Sequence, residues 1–138
     1  MNSYMQTHKF LIQNNIKPSV QRTAVMEFLL NNRIHATVDE IFVALNPGMP
    51  TLSKTTVYNT LNLLVKNGAV QMLLIDEKNA RYDADTSKHG HFFCQSCGKV
   101  HDVFNLKQEL FMLPEHPEFI ITDVEISYKG ICNECKGS

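Results

Sequence analysis

The four cysteines of the chain form two Cys-x-x-Cys pairs, Cys94 with Cys97 and Cys132 with Cys135. In each pair (FCQSCGK and ICNECKG) both sulfurs can lie on one side of a tight turn, and Gly98 directly follows the first pair. Two such turns make a closed tetrahedral thiolate site, which is the structural type of zinc site. A thioredoxin-like redox pair and unrelated buried thiols are the alternatives, but neither pair opens a helix that would lower a thiol pKa. The spacing therefore predicts one structural zinc ion.

A second cluster of possible ligands contains no sulfur. His89 and His91 are two residues apart on a predicted strand, so their side chains point to the same face. Asp102 lies on the returning strand, where it can pair with His91, and Asp83 ends an earlier strand. Each residue alone is more often a surface, core or capping residue, and His101, with the opposite strand parity to Asp102, is expected at the surface. Together, these nitrogen and oxygen donors predict a second metal site.

The first half of the chain has the apolar spacing of helices. We expect a short helix at Met5–Asn14 and a second helix that begins after Ser19. Thr37 and Glu40 form a capping box for a third helix. A fourth helix occupies Ser53–Lys66, with the serine as its N-cap.

The fourth helix is followed by a predicted hairpin, Val70–Ile75 with Ala80–Asp83, which gives the winged-helix form of helix-turn-helix. In that fold the fourth helix enters the major groove of DNA. Its outward side carries short hydrogen-bonding groups and one aromatic, which can contact base edges, although a solvated helix face is the alternative. The predicted DNA-binding residues are Lys17, Arg22, Ser53, Lys54, Thr55, Thr56, Tyr58 and Asn59.

The second half of the chain changes to strand patterns. Strands are expected at residues 89–93 and at Val100–Phe104, with a short helix at Leu106–Leu113 and a long strand at Phe119–Tyr128. This small α/β module buries little apolar surface by itself, so we expect a zinc ion and a dimer partner to complete it.

Composition agrees with two modules of different chemistry. The chain has 138 residues, of which 43% are hydrophobic and 20% charged. Residues 1–82 carry eight basic against five acidic residues, and residues 83–138 carry five against nine. We predict an α+β protein with a winged-helix DNA-binding domain at 1–83 and a dimerisation and metal-binding domain at 84–138. The chain has neither a signal-peptide pattern nor an apolar run long enough for a membrane helix, and a cytoplasmic location is expected.

Four segments closely resemble the ferric uptake regulator (Fur) family, and the resemblance covers essentially the whole chain. They are SKTTVYNTLNLL (Ser53–Leu64), RYDADTSKHGHFFCQSC (Arg81–Cys97), CGKVHD (Cys97–Asp102) and GICNEC (Gly130–Cys135). The resemblance implies a homodimeric, metal-dependent regulator, usually a repressor, that binds a double-stranded DNA operator. It also implies no enzymatic activity, no small organic substrate and no membrane partner.

The resemblance also implies two sets of ligands. The four cysteines match the structural zinc ligands of the family. His35 matches a regulatory-metal ligand, which spacing alone does not reveal. The remaining ligands of that regulatory site would be Asp83, His89, His91 and Asp102. Val124 stands where many members have a further histidine, which argues against a third metal site.

Three positions resemble the peroxide-sensing branch of the family (PerR). Asp83 and Asp102 stand where iron sensors typically have glutamate, and Asn59 stands where they commonly have arginine. Imidazole with carboxylate suits Fe²⁺ and Mn²⁺, which bind weakly in the divalent series. By resemblance, peroxide would oxidise His35 or His89 when the metal is iron.

The expected mechanism is a hinge, in which a metal ion ties the winged helix to the second module and closes the dimer onto DNA. An iron-responsive repressor that does not sense peroxide is the nearest alternative. A metalloenzyme that acts on peroxide lacks a recognisable general acid, substrate pocket or cofactor motif. The last alternative is a zinc-stapled protein-interaction module that does not bind DNA, whereas a regulator of this type is expected to bind an A/T-rich palindrome.

Overall fold

A computed structural model describes residues 3–137 of the chain. Residues pack into two compact units, of which the first ends at Thr86 and the second begins at Ser87. The division falls slightly after the expected position at Asp83. The amide of Gln71 donates to the Asp85 carbonyl over 2.7 Å, and the Asp85 N–H donates to Asp83 Oδ1 over 2.9 Å. These bonds keep the connecting residues with the first unit.

The first unit contains four α-helices. They are α1 (Ser3–Gln13), α2 (Val20–Asn31), α3 (Val38–Leu45) and α4 (Lys54–Lys66), and a 3₁₀ turn at Asn46–Gly48 follows α3. Within residues 3–137 every helix is too short or too polar to span a bilayer.

The predicted capping residues start three of these helices. The Ser19 side chain accepts from the N–H of Arg22, and the Ser53 side chain accepts from the N–H of Thr56. Thr37 and Glu40 form the complete capping box of α3. Each cap satisfies backbone donors that the first turn of a helix leaves without a partner.

A two-stranded antiparallel sheet follows α4, with β1 at Gln71–Leu73 and β2 at Arg81–Asp83. Tyr82 in the middle of β2 is 2% exposed and belongs to the core of the helices, together with residues such as Leu61. Its N–H donates to the carbonyl of Ala36, so the hairpin is joined to the loop before α3. The α+β class and the winged-helix order of elements are confirmed.

The second unit is built on a three-stranded sheet in the order β4–β3–β5. β3 is Gly90–Cys94, β4 is Val100–Val103 and β5 is Ser127–Gly130. β3 pairs antiparallel with β4 and parallel with β5. The central strand therefore carries His91 and Cys94, and His89 directly precedes it.

Two predictions for the second unit were wrong. The expected helix at Leu106–Leu113 is only a 3₁₀ turn at Gln108–Phe111, and of the expected strand Phe119–Tyr128 only the last two residues lie in β5. Many apolar side chains here are exposed, Ile120 by 91%, and others such as Ile121 are only partly buried. Apolar periodicity gives a regular element only where packing covers the apolar face, which it does not do within this unit.

We predict that Leu61→Ala destabilises the protein by about 3 kcal/mol, because this side chain is fully buried and its removal leaves a cavity. Asn62→Ala, on the exposed side of the same helix, should change stability by less than about 0.5 kcal/mol. Urea unfolding followed by circular dichroism measures both. Equal effects would contradict this assignment of the core.

Candidate metal centres and nucleic-acid interface

The two Cys-x-x-Cys pairs meet because β3 and β5 are parallel neighbours. Cys94 ends β3 opposite Gly130 at the end of β5, so the turns that follow the two strands lie at the same edge of the sheet. Gly98 adopts a φ of 78° in the first turn, a conformation that favours glycine. The sulfur atoms of Cys94, Cys97, Cys132 and Cys135 all lie within 4.8 Å of one another.

Backbone donors and neighbouring thiols shift the pKa values of this cluster in opposite directions. The N–H groups of Cys97 and Cys132 point at Cys94 Sγ, over 3.4 and 3.3 Å, and lower the pKa of Cys94 to about 6. At Cys135, a hydrogen bond with Ser96 acts to lower the pKa, but the nearby thiols, Cys132 foremost, raise it to about 12. The thiolate of Cys94 is therefore favoured, whereas ionisation of Cys135 needs a compensating cation. Four converging thiols of this kind fit a structural zinc ion.

The second unit brings His89, His91 and Asp102 together. β3 and β4 pair His91 directly with Asp102, the register that strand alternation predicted. Asp102 Oδ1 lies 2.9 Å from His89 Nε2 and 3.4 Å from His91 Nε2. Both histidines are buried, whereas His101 is exposed as predicted. We call His89, His91 and Asp102 the C-terminal half-set.

The hydrogen bonds of His89 direct its Nε2 at Asp102. His89 Nδ1 lies 2.8 Å from the carbonyl of Ser87, which can only accept, so Nδ1 carries a proton. Nε2 then faces the Asp102 carboxyl group, an arrangement that a second ring proton, a proton on the carboxyl group or a bound cation can each stabilise. The ring of Phe104 stacks on His89 with the centroids 4.8 Å apart. Sequence patterns gave no indication of this contact.

The first unit holds the remaining two predicted ligands. His35 Nε2 lies 3.5 Å from Asp83 Oδ2, and the two residues are only 5% and 4% exposed. Asp83 ends β2, and His35 lies in the loop between α2 and α3. We call this pair the N-terminal half-set. A carboxylate so deeply buried is stable only with a hydrogen-bonding or charged partner, which an imidazole or a metal ion can supply.

The outward side of α4 is accessible. Thr55, Tyr58 and Asn59 are exposed, and Asn59 lines an open cleft of about 390 Å³ together with Lys17 and Arg22 of the α2 N-terminus. Four of the eight predicted DNA-binding residues therefore border one groove of the first unit: Lys17, Arg22, Thr56 and Asn59. Its mixed polar and basic lining is typical of a surface that contacts nucleic acid.

Four of the predicted contacts already have partners within the unit, and one of them is Arg22, whose Nη1 donates to the Lys17 carbonyl over 2.8 Å. Ser53 and Thr56 hydrogen-bond to each other over 3.0 Å while the serine caps α4, so their first role is to start this helix. Lys54 Nζ lies 3.2 Å from Asp39 Oδ1 and 5.7 Å from the centroid of the Phe42 ring. The pair is exposed, so Lys54 can exchange Asp39 for a phosphate at little cost.

Comparison with known proteins shows the same order of segments in one family. The sequence profile of the ferric uptake regulator family matches residues 13–128. The peroxide-responsive repressor PerR of Staphylococcus epidermidis is 36% identical over 124 residues, which are 88% of this chain and 82% of that protein.

Solved structures agree with this match. PerR from Streptococcus pyogenes, solved as a structural basis for peroxide sensing and gene regulation, is 26% identical with a TM-score of 0.54, over 98% of this chain and 94% of that chain. The Helicobacter pylori ferric uptake regulator Fur has a TM-score of 0.70 over 99% of this chain and 93% of that chain. At 21% identity, the latter likeness concerns the fold alone. The chain belongs to the ferric uptake regulator family.

Proposed function

We propose that this chain is a homodimeric, metal-dependent repressor that binds DNA and responds to peroxide. The observation that carries the proposal is the pair of buried His/Asp half-sets, because they consist of the five residues that the family resemblance assigns to a regulatory metal. The peroxide-responsive repressor with 36% identity supports the same function.

The cysteine cluster is proposed as a purely structural site. Four sulfur ligands close the coordination of a zinc ion and leave no position for a substrate or a signal. The cluster joins the ends of β3 and β5 to the C-terminal segment, so it holds the second unit together.

The regulatory ion is proposed to take ligands from both half-sets: His35 and Asp83 from the first unit, and His89, His91 and Asp102 from the second. Three imidazoles and two carboxylates fit Fe²⁺ or Mn²⁺. Bound Fe²⁺ supplies the electron that reduces hydrogen peroxide, which Mn²⁺ does not readily do. The ligands tie the two units together, and oxidation of His35 or His89 removes one of these ties.

The signal is proposed to reach DNA through α4. With the two units fixed, two α4 helices of a dimer can face successive major grooves of an A/T-rich palindrome. The exposed apolar side chains of the second unit are proposed as the dimer surface, since such a patch on a small domain favours association. They include Leu110, Met112, Leu113, Phe119 and Ile120.

An iron-responsive repressor is the alternative function with the most support. Its ligand chemistry would be the same, and relatives of both kinds share the fold. Peroxide sensitivity distinguishes the two functions. A peroxide-consuming enzyme receives less support, because the relative with 36% identity is named a repressor and an enzyme that oxidised its own ligand would stop itself.

Cys97→Ser should lower the zinc content from about one ion per chain to none, because three thiols no longer close the tetrahedron. Elemental analysis of the purified protein measures zinc, and protease sensitivity reports the loss of the second unit. Gln95→Ala, at an exposed position in the same turn, is the control and should keep its zinc. Full zinc content in Cys97→Ser would contradict the site.

Peroxide should abolish operator binding by the Fe²⁺-loaded protein but not by the Mn²⁺-loaded protein. The DNA for this test is selected from a random pool by the Mn²⁺-loaded protein, and it should be an A/T-rich palindrome. Peptide mass spectrometry should find a gain of about 16 Da on His35 or His89 in the iron sample alone, distinct from methionine sulfoxide on other peptides. Retained binding and unmodified histidines would favour the iron-responsive repressor. DNA affinity that did not depend on either metal would contradict both.

Lys54→Ala should weaken binding to all DNA sequences and lower the salt dependence by about one unit per phosphate contact, because it removes a charge from the N-terminus of α4. Lys66→Ala, which removes the same charge from the C-terminal end of that helix, is the matched control. Affinity measured from low to moderate salt separates the two variants. Identical salt slopes would mean that the N-terminal end of α4 does not face the DNA.

A further inference from the structure

Three consecutive residues of β2 hold the loop that carries His35. Arg81 Nη1 donates to the carbonyl of His35 over 3.2 Å, and the N–H of Tyr82 donates to the carbonyl of Ala36 over 3.0 Å. The carboxylate of Asp83 faces the imidazole of His35 at 3.5 Å. Side chains alternate along a strand, so Arg81 and Asp83 lie on one face and both reach the histidine, while Tyr82 enters the core.

The loop needs such support because His35 has an unusual backbone. Its φ of 54° lies in the left-handed region, which few residues other than glycine adopt. A conformation of this kind persists only when its surroundings impose it. The hydrogen bond from Arg81 fixes the peptide group that follows His35. It thereby sets the direction in which the His35 side chain projects from the backbone.

Arg81 is itself held rigidly. Its Nε and Nη2 both donate to Asp76 Oδ2, over 3.2 and 3.1 Å, and its side chain is only 14% exposed. The N–H of Lys78 and, after it, the guanidinium lower the pKa of Asp76, so this carboxylate stays ionised. The guanidinium also lies 4.0 Å from Glu40, the capping-box residue of α3. The Arg81 side chain thus connects the turn between β1 and β2, the loop that carries His35 and the start of α3.

We propose that Arg81 is a positioning residue for the regulatory metal, which fixes the His35 imidazole in the orientation that ligation requires. The proposal rests on the proposed function, because it takes His35 to be a ligand. Arg81 is not a ligand itself, since a guanidinium stays protonated and has no lone pair to offer. Arg81 instead holds His35 of the N-terminal half-set in its ligating orientation before the ion binds. Without Arg81, metal binding must also order the loop that carries His35, and this lowers the affinity for the ion.

The test is a titration of the full-length, zinc-loaded protein with Mn²⁺, in which electron paramagnetic resonance measures the free ion. Arg81→Ala should weaken Mn²⁺ binding by about tenfold, the size of effect expected when a partner that orients a ligand is lost. Arg81→Lys keeps the charge but cannot reach Asp76 and the His35 carbonyl together, so it should recover only part of the affinity. Asp76→Asn leaves Arg81 in place without its anchor and should weaken binding in the same direction.

Two control variants separate positioning from other effects. Arg33→Ala removes the same charge from an exposed position two residues before His35 and should bind Mn²⁺ like the natural protein. Leu61→Ala destabilises the core of the same unit without removing a hydrogen bond to the loop, so at a temperature where it remains folded it should also bind normally. A loss in either control as large as that in Arg81→Ala would overturn the proposal.

His35→Ala distinguishes failure of this proposal from failure of the proposed function. If His35→Ala weakens Mn²⁺ binding and Arg81→Ala does not, the proposed regulatory site stands and the positioning role is wrong. If His35→Ala has no effect, His35 is not a ligand, and both the five-residue site and the role of Arg81 are wrong. Weakened binding in both variants, with normal controls, supports the positioning role.

Discussion

Mutual repulsion between thiolates is the constraint on which the second unit depends. The four sulfur atoms lie within 4.8 Å of one another, backbone donors lower the pKa of Cys94, and neighbouring thiols raise the pKa of Cys135. A divalent cation bound there would remove the conflict and would also join the chain after β3 to the chain after β5. Because the unit has a small sheet and exposes much of its apolar surface, this cross-link replaces the hydrophobic core that a larger domain would have.

The two kinds of ligand suit two different tasks. Sulfur ligands in a closed site hold zinc tightly and permanently, whereas imidazole and carboxylate ligands bind Fe²⁺ and Mn²⁺ weakly enough to respond to their concentration. In the C-terminal half-set, Asp102 lies within hydrogen-bonding distance of His89 and close to His91, so its carboxylate already compensates part of the cost of burying two imidazoles. The proposed zinc site would thus stabilise the unit permanently, while the proposed His/Asp site binds its metal ion reversibly.

Sequence reasoning succeeded where the determinants are local. The caps Ser19, Thr37 and Ser53 lie within three residues of the donors that they satisfy, and strand alternation was sufficient to pair His91 with Asp102. It failed at the expected strand Phe119–Tyr128, whose apolar side chains are exposed or only partly buried within the unit. The apolar pattern there predicts that these side chains are buried, but it does not show which surface packs against them.

Contacts between distant parts of the chain were the other source of failure. His35 has no spacing pattern, and only the family resemblance identified it. Arg81 was not singled out at all, although its place two residues before Asp83 on a strand puts both on one face. What the sequence could not provide is the knowledge that this face meets the loop of His35, 46 positions earlier in the chain.

Strand β2 gives the winged helix a direct energetic connection to the proposed metal ligands His35 and Asp83. One of its residues packs in the helical core, and its neighbours on either side contact His35 and Glu40 at the start of α3. An ion that stabilises the native arrangement of His35 and Asp83 therefore also stabilises the arrangement of the loop and of α3. By linkage, any DNA that prefers this arrangement must in turn raise the affinity for the ion by the same factor. The coupling requires no large movement within the first unit, only two states of this loop that differ in free energy.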